Sequence, residues 1–217
     1  MTVDFGEAKN RRRLFLHRGL RKRPLGSGSN LERLMDLPRD PLQVNPGELF
    51  GDIAVVVVGG VAIRVYSPER ATKEIDLLVD HKRFADASRR LLDSGYIRDE
   101  TLFSPNASLG LYGEAWFKEG KLIDLLSTPQ LWGQKALVKP VVDSTGLPMV
   151  RLPYLVLMKF DSARAQDQAD LSRMLGRLSE EECETLIKEV ARYSTDPCFA
   201  EDVRQYCQLG RWEWGLG

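Results

Sequence analysis

The sequence RATKEIDLLV at residues 70–79 decides the fold of this chain. Its second half has the apolar content of a buried strand, but it carries two carboxylates, Glu74 and Asp76. Upstream, an unbroken apolar run at 53–58 is followed by Gly59-Gly60. Side chains alternate between the two faces of a strand, so Glu74 and Asp76 point to the same face. The pattern predicts a strand, a glycine turn, a connecting segment and a second strand with an acidic face.

A third carboxylate fits this arrangement. Asp124 is the one charge inside the apolar core of KLIDLL at 121–126. A buried carboxylate costs free energy unless it is paired or binds a metal. If its strand lies beside the first, Glu74, Asp76 and Asp124 could together hold two Mg²⁺ (or Mn²⁺) ions about 3.5–4 Å apart. A glycine turn nearby lets the backbone approach phosphate, so a nucleoside triphosphate is the ligand that suits the layout.

Four motifs in order resemble the nucleotidyltransferase superfamily of the DNA polymerase beta type. The motifs are a glycine pair, an acidic strand, a second acidic strand and a helical segment, in the order that the family has. They are GGVA at 59–62, R-x-T-x-E-I-D at 70–76, KLIDLL at 121–126, and LPYLVLMKF at 152–160 continued by Ala163-Arg164, Asp167 and Asp170-Leu171. The last motif is similar to a segment of small bacterial nucleotidyltransferase-like proteins, some of which are toxins of toxin–antitoxin or phage-defence systems. The resemblance covers roughly residues 53–175.

The resemblance implies an α+β fold, a mixed sheet flanked by helices with a C-terminal helical appendix. It also implies transfer of a nucleoside monophosphate from NTP to an acceptor hydroxyl, with Glu74, Asp76 and Asp124 as metal ligands and catalytic residues. The candidate nucleotide-binding residues are those of the other matched positions: Gly59, Gly60, Arg70, Thr72, Lys159 and Asp167. The family usually has Asp at the position of Glu74, whose oxygens reach about 1 Å further out.

Each candidate has a structural alternative. Glu74 and Asp76 could be charges that protect an edge strand from aggregation, and the glycine pair could be a tight turn alone. Asp167 follows Lys159 by eight residues, two turns of a continuous helix, so the two could form a surface ion pair. Arg64 competes with Arg70 as the phosphate ligand, and the family string favours Arg70.

Two functions therefore compete with the enzyme. One is a catalytically inactive binding or regulatory module, favoured by Glu74 and tested by metal binding. The other is the toxin half of a pair, silenced by an antitoxin partner. For the enzyme, the acceptor remains open between RNA, protein and a small molecule.

The 217-residue chain has zero formal net charge, but its charge is uneven. Residues 1–30 carry eight Lys and Arg against Asp4 and Glu7, a net charge of +6, and end in the linker-like LGSGSN. This segment is predicted to be flexible. It is either a solvated tail or an arm whose positive charge attracts RNA. Since no apolar run approaches the ~18 residues of a membrane span, the protein is predicted to be cytoplasmic and not membrane-bound.

The predicted organisation is a basic flexible segment at 1–30, a nucleotidyltransferase-like core at 31–151 and a helical region at 152–217. The predicted strands are 53–58, 74–79, 96–98, 101–104, 109–117 and 121–126, followed by a hairpin of 137–142 with 148–151. The predicted helices are 31–37, 61–67, 81–93, 153–164, 167–176, 179–193 and 199–208, with a capping box of Ser179 and Glu182. Cys183, Cys198 and Cys207 have no metal-site spacing, and all three are predicted to be small buried side chains.

Overall fold

The computed structural model describes residues 44–67, 74–103, 108–162 and 164–215, with the backbone alone at 100–103. All of these residues lie within one compact unit, Pro38–Gly217. The predicted basic segment 1–30, the predicted helix 31–37 and the candidate ligands Arg70 and Thr72 lie outside the described residues. The predicted domain boundary between residues 151 and 152 stays a prediction.

The described strands are β1 (Val55–Val58), β2 (Glu74–Val79), β3 (Ile97–Phe103), β4 (Tyr112–Lys118), β5 (Lys121–Ser127), β6 (Val141–Val142) and β7 (Pro148–Met149). They form one sheet in the order β3-β4-β5-β2-β1-β7-β6. The β2–β5 and β1–β7 pairs are parallel, and the other four neighbouring pairs are antiparallel. The two acidic strands β2 and β5 are therefore direct neighbours near the middle of a mixed sheet.

The described helices are α1 (Pro46–Phe50), α2 (Gly59–Ala62), α3 (Phe84–Asp93), α4 (Leu131–Ala136), α5 (Leu152–Ser162), α6 (Ala165–Leu175), α7 (Glu180–Val190) and α8 (Phe199–Glu213). Single 3-10 turns follow α2 and α7 and precede α3, at Ile63–Val65, Ala191–Tyr193 and His81–Arg83. Together with the mixed sheet, these helices confirm the predicted α+β class.

Helix α5 lies inside the hydrophobic core. Its residues Tyr154, Leu155, Val156 and Leu157 are all buried, although they cover every side of one helical turn. A helix that is apolar all round is one enclosed by other elements. The C-terminal helices are thus present as predicted, and the first of them is part of the core rather than an attachment to it.

Several predicted element boundaries were wrong. The two predicted strands at 96–98 and 101–104 are one strand, β3, with a register shift between Arg98 and Glu100. The predicted hairpin forms, but its first strand is limited to Val141–Val142, because Lys139 has a positive φ of 55° that ends the extended run. The first helix after β1 begins at Gly59 rather than at residue 61.

Helices α6 and α8 cross at two glycines. A Cβ atom added to Gly176 would lie 2.3 Å from the Gly210 backbone, and one added to Gly210 would lie 2.0 Å from the Ser172 carbonyl oxygen. Any side chain at either position would therefore push the helices apart. The close contact fixes α8 against α6, which carries the acidic residues of the helical motif.

The prediction for the cysteines holds for two of the three. Cys183 on α7 and Cys207 on α8 are buried, but Cys198 is exposed, because it lies at the N-terminal end of α8 after the loop that joins α7 to α8. Among the described residues, no helix is long and apolar enough to cross a membrane.

Candidate active site

The three predicted carboxylates lie on one face of the sheet. Asp76 on β2 is the register partner of Asp124 on the parallel strand β5, so their side chains emerge side by side. Glu74 precedes Asp76 by two residues and shares its face. All three side chains are half-buried. The alternative that these are edge-strand charges is wrong, because β2 has a neighbour on each side.

Helix α3 covers the opposite face of the sheet. Its Ser88 hydroxyl donates a hydrogen bond of 2.7 Å to Glu114 on β4. Glu114 precedes Ala115, the register partner of Asp124, and therefore points away from the carboxylates. The acidic face is consequently the one left to the glycine turn and the C-terminal helices.

The glycine pair contacts Asp76 directly. Strand β1 ends at Val58, whose register partner is Asp76, and Gly59 follows with a φ of 62°. A Cβ atom at Gly59 would lie 1.8 Å from Asp76 Oδ2. The backbone N–H of Gly60 donates a hydrogen bond to the Asp76 carboxylate. The pair thus sets the position of Asp76, and its contact with a phosphate stays a prediction.

We expect Gly59→Ala to displace Asp76 as well as strain the backbone. Gly120 is the matched control, because its φ of 80° is also positive but nothing lies within 4 Å of an added Cβ atom. Gly120→Ala should cost about 1 kcal/mol from backbone strain. Gly59→Ala should cost about 1–2 kcal/mol more, since the Cβ atom meets the carboxylate. Urea denaturation of both variants measures this, and equal losses would contradict the contact.

Asp76 is the most perturbed of the carboxylates. Burial raises its pKa to about 7, and the negative charges of Asp124 and Glu74 act in the same direction. The N–H of Gly60 and the positive charge of Arg164 lower the pKa, but they do not outweigh the other causes. Negative charge is therefore crowded at this position, which is the electrostatic condition that a bound cation relieves.

We expect Asp76 to make the protein less stable as pH rises toward neutrality. Its folded pKa is raised, so the folded state holds the proton more tightly, and stability falls between about pH 4 and about pH 7. Full burial would give about 4 kcal/mol, and partial exposure reduces this to about 1–3 kcal/mol. Urea denaturation in EDTA measures the free energy of unfolding at pH 5 and pH 8. Relative to the native protein, Asp76→Asn should be more stable at pH 8 than at pH 5. A constant difference would contradict the assignment.

The helical motif forms a buried charge network. The Lys159 ammonium on α5 donates to Asp167 Oδ1 at 2.7 Å and to Asp170 Oδ2 at 2.8 Å, both on α6. Lys159 is 4% exposed, Asp167 1% and Asp170 2%. The alternative of a surface ion pair is wrong for Lys159 and Asp167. Their predicted proximity is confirmed, but the contact is made between two helices and not along one.

Arg164 connects this network to the sheet carboxylates. Its Nε donates to Asp167 Oδ2 at 2.7 Å, and Ser162 Oγ donates to the same oxygen at 2.5 Å. Burial raises the pKa of Asp167, but the hydrogen bonds from Arg164, Lys159 and Ser162 outweigh it and leave the pKa lowered. The pKa of Arg164 is raised by its bond to Asp167 and by the charges of Asp76 and Glu74. Arg164 thus lies between the two acidic groups.

Sequence reasoning did not select Arg164 as a site residue. It placed Arg164 at the end of the predicted helix 153–164, about 140° around the axis from Lys159. In the structure α5 ends at Ser162, and Arg164 has extended backbone, with φ −71° and ψ 147°, before α6 begins. The helix break turns its side chain toward both acidic groups. The sequence signal for Arg164 was its position between two segments that each have helical periodicity.

Arg64, the competitor of Arg70, has a structural role. Its Nη2 pairs with Asp143 and donates to Thr145 Oγ1 at 3.0 Å, and its side chain is 11% exposed. Burial raises the pKa of Asp143, but bonds from Thr145 and Leu147, with the charge of Arg64, leave it lowered. Arg64 therefore fastens the 3-10 turn after α2 to the β6–β7 hairpin.

Solved structures similar to this chain include nucleotidyltransferases. The crystal structure of ANT(2'')-Ia in complex with adenylyl-2''-tobramycin has a TM-score of 0.40 at 13% identity, and the match covers 75% of this chain and 90% of that one. The solution structure of the antibiotic-resistance factor ANT(2'')-Ia has a TM-score of 0.39 at 15% identity, covering 76% and 85%. A Thermotoga maritima protein, a candidate nucleotidyltransferase, has a TM-score of 0.40 at 15% identity, covering 75% and 92%.

At such identities and TM-scores these likenesses leave the activity and the acceptor of this chain undecided. No family model matches the chain, and no curated protein matches its sequence.

Proposed function

We propose that this protein is a nucleotidyltransferase that moves a nucleoside monophosphate from an NTP to an acceptor hydroxyl and releases pyrophosphate. The observation that supports it best is the group of Glu74, Asp76 and Asp124 on one sheet face, with the Asp76 pKa raised to about 7. A protein gains no stability from crowding like charges at half-buried positions. Perturbed carboxylates of this kind are concentrated at catalytic sites.

The donor set fits a hard cation. Carboxylate oxygens are the ligands of Mg²⁺ and Mn²⁺, and a divalent ion would reduce the repulsion that raises the pKa of Asp76. Within the described part of the chain, no three His, Cys, Asp or Glu side chains already form a metal-binding group. A bound cation would draw the carboxylates of Glu74, Asp76 and Asp124 together. When bound, the ion supplies charge stabilisation for the phosphoryl oxygens.

The side chains have distinct roles in this proposal. Asp124 accepts the proton of the acceptor hydroxyl, while Glu74 and Asp76 bind the cation. Gly60 holds Asp76 through its backbone N–H, and Gly59 allows the close approach. Arg164, with its Nε held by Asp167, offers its Nη groups to the triphosphate oxygens as planar donors. Lys159 and Asp167, buried with each other, fix the position of Arg164.

Transfer of label from nucleotides is the direct test. The purified protein is incubated with each α-³²P-labelled NTP and Mg²⁺ or Mn²⁺, with total cell RNA, with cell protein, or with a pool of small hydroxylated metabolites. We expect label in one acceptor class together with pyrophosphate release, both abolished by EDTA. The acceptor class that takes the label decides between RNA, protein and a small molecule. If the protein is a toxin, the labelled acceptor is its cellular target.

A non-catalytic binding module is the second candidate, favoured by Glu74 and by the absence of a ready metal group among the described residues. It predicts no label transfer with any NTP and no change of melting temperature with Mg²⁺. The enzyme predicts a rise in melting temperature with Mg²⁺ and NTP, because ligands that bind only the folded state stabilise it.

We expect Arg164→Gln to weaken nucleotide binding more than the chemical step. The variant keeps a polar side chain but loses the cation that faces Asp76 and Glu74. The KM for NTP should rise by about tenfold, the effect of one charge-assisted contact, with a smaller change in kcat. Arg204→Gln is the control, since Arg204 pairs with Glu184 on the surface. Equal KM values for the two variants would remove Arg164 from the site.

A further inference from the structure

We propose that Cys183 and Cys207 form a redox-active thiol pair, which a peroxide oxidises to a disulfide that joins α7 to α8. The proposal does not depend on the transferase activity. The two residues are 24 positions apart and lie on different helices, yet their Sγ atoms are 2.6 Å from each other. Two sulfur atoms at that separation are closer than non-bonded packing needs, so nothing lies between the two thiols.

The surroundings of the pair support oxidation rather than simple packing. Cys183 is 3% exposed and Cys207 2%, and hydrogen peroxide is small enough to reach them through local fluctuation. The hydrogen bond from the Cys207 thiol lowers the pKa of Cys183, and the charges of Arg211 and Arg204 act in the same direction against burial. The thiolate is the form that attacks peroxide.

The reaction is balanced with one equivalent of hydrogen peroxide. The Cys183 thiolate attacks one peroxide oxygen, the O–O bond breaks, and the sulfenic acid and one water form. The Cys207 thiol then attacks the Cys183 sulfur, which releases the second water as the S–S bond forms. Two thiols lose two protons and two electrons in total, and the peroxide accepts them. A dithiol reductant reverses the reaction.

The disulfide would stabilise the helical layer behind the candidate site. It would close a loop of 24 residues, since it links position 183 to position 207. In the chain-entropy account a loop of this length corresponds to a rise in melting temperature of about 7–14 °C for a domain of this size. Helix α8 also contacts α6 at Gly176 and Gly210. The disulfide would therefore connect α7, through α8, to the helix α6 that carries Asp167.

The experiment uses the full chain and hydrogen peroxide at a few equivalents. Non-reducing peptide mapping by mass spectrometry of the native protein should find the peptides of Cys183 and Cys207 linked with a loss of two hydrogens. The melting temperature should rise by about 7–14 °C and return after dithiothreitol. Cys198→Ser should behave like the native protein, because Cys198 is exposed and away from the pair.

Cys183→Ser and Cys207→Ser should lose both the crosslink and the shift. The mapping of the native protein keeps the proposal falsifiable should either variant fail to fold. The proposal is overturned if native Cys183 and Cys207 remain free thiols at peroxide levels that oxidise Cys198. It is also overturned if they oxidise only to sulfinic acid, or if the crosslinks join separate chains through Cys198.

Discussion

Asp76→Asn should lose most nucleotide transfer and still fold. Asp76 is the carboxylate that both neighbours, Glu74 and Asp124, act upon, and the Gly60 N–H fixes its orientation. Its replacement removes one proposed metal ligand and one of the three negative charges, while the side chain keeps its shape. We expect kcat to fall by about 10²–10³-fold, the cost of losing one preorganised electrostatic group. Steady-state assays with labelled NTP measure the loss, and circular dichroism confirms the fold.

The matched control is Asp86→Asn. Asp86 is a half-exposed carboxylate on α3 that pairs with Arg83, on the side of the sheet opposite the site. It should keep its activity within about twofold, because surface ion pairs contribute little. Mg²⁺ should raise the melting temperature of the native protein and of Asp86→Asn, and much less that of Asp76→Asn. If Asp76→Asn keeps its activity, or if it unfolds while Mg²⁺ leaves the native melting temperature unchanged, the carboxylates are structural.

The sheet positions of the site could be predicted from the sequence. Glu74, Ile75 and Asp76 lie in an apolar strand with charges at alternate positions, a local pattern that determines which side chains share a face. The predicted strand 74–79 is the observed one, and β5 differs from its prediction by one residue. The capping box of Ser179 and Glu182 is also confirmed, because its signal lies within four residues.

The sequence also contained signals that were not used. Helix α1 begins with Asn45, whose side chain accepts from Gly47 N–H, and has Pro46 at its first position. Asparagine followed by proline is a recognised helix start. Helix α4, Leu131–Ala136, was missed for another reason, since Gly133 lies inside it and glycine disfavours helix. Glycine is needed at position 133, because an added Cβ atom would lie 2.4 Å from the Thr128 side chain.

The approach of side chains from α5 and α6 to the sheet carboxylates could not be predicted from the sequence. Which side chains of α5 and α6 approach Asp76 depends on the break after Ser162 and on how the helices pack on the sheet. Periodicity describes each helix alone and contains no information about their relative rotation. Arg164 was therefore missed, whereas Lys159 and Asp167 were found through the family resemblance. The face of a strand is local information, while a contact between elements is not.

Lys159→Met should be the most destabilising of the substitutions considered. Lys159 lies between Asp167 and Asp170, all three nearly inaccessible to solvent. Together with Arg164, which bonds Asp167, the four charges sum to zero. Methionine matches the length of lysine but removes the buried ammonium and leaves two buried carboxylates with one cation. Removing one partner of such a network costs about 3–5 kcal/mol.

A control variant and a second substitution test whether the loss of stability in Lys159→Met comes from charge. Arg204→Met breaks the exposed pair with Glu184 and should cost at most about 1 kcal/mol. Adding Asp170→Asn to Lys159→Met should recover part of the lost stability, because it removes one of the two buried carboxylates that Lys159 contacts. A double-mutant cycle in urea denaturation measures that coupling. If Lys159→Met costs no more than Arg204→Met, or if Asp170→Asn adds its full cost, the network does not stabilise the helices. Arg164 would then owe its position to backbone packing and not to Asp167.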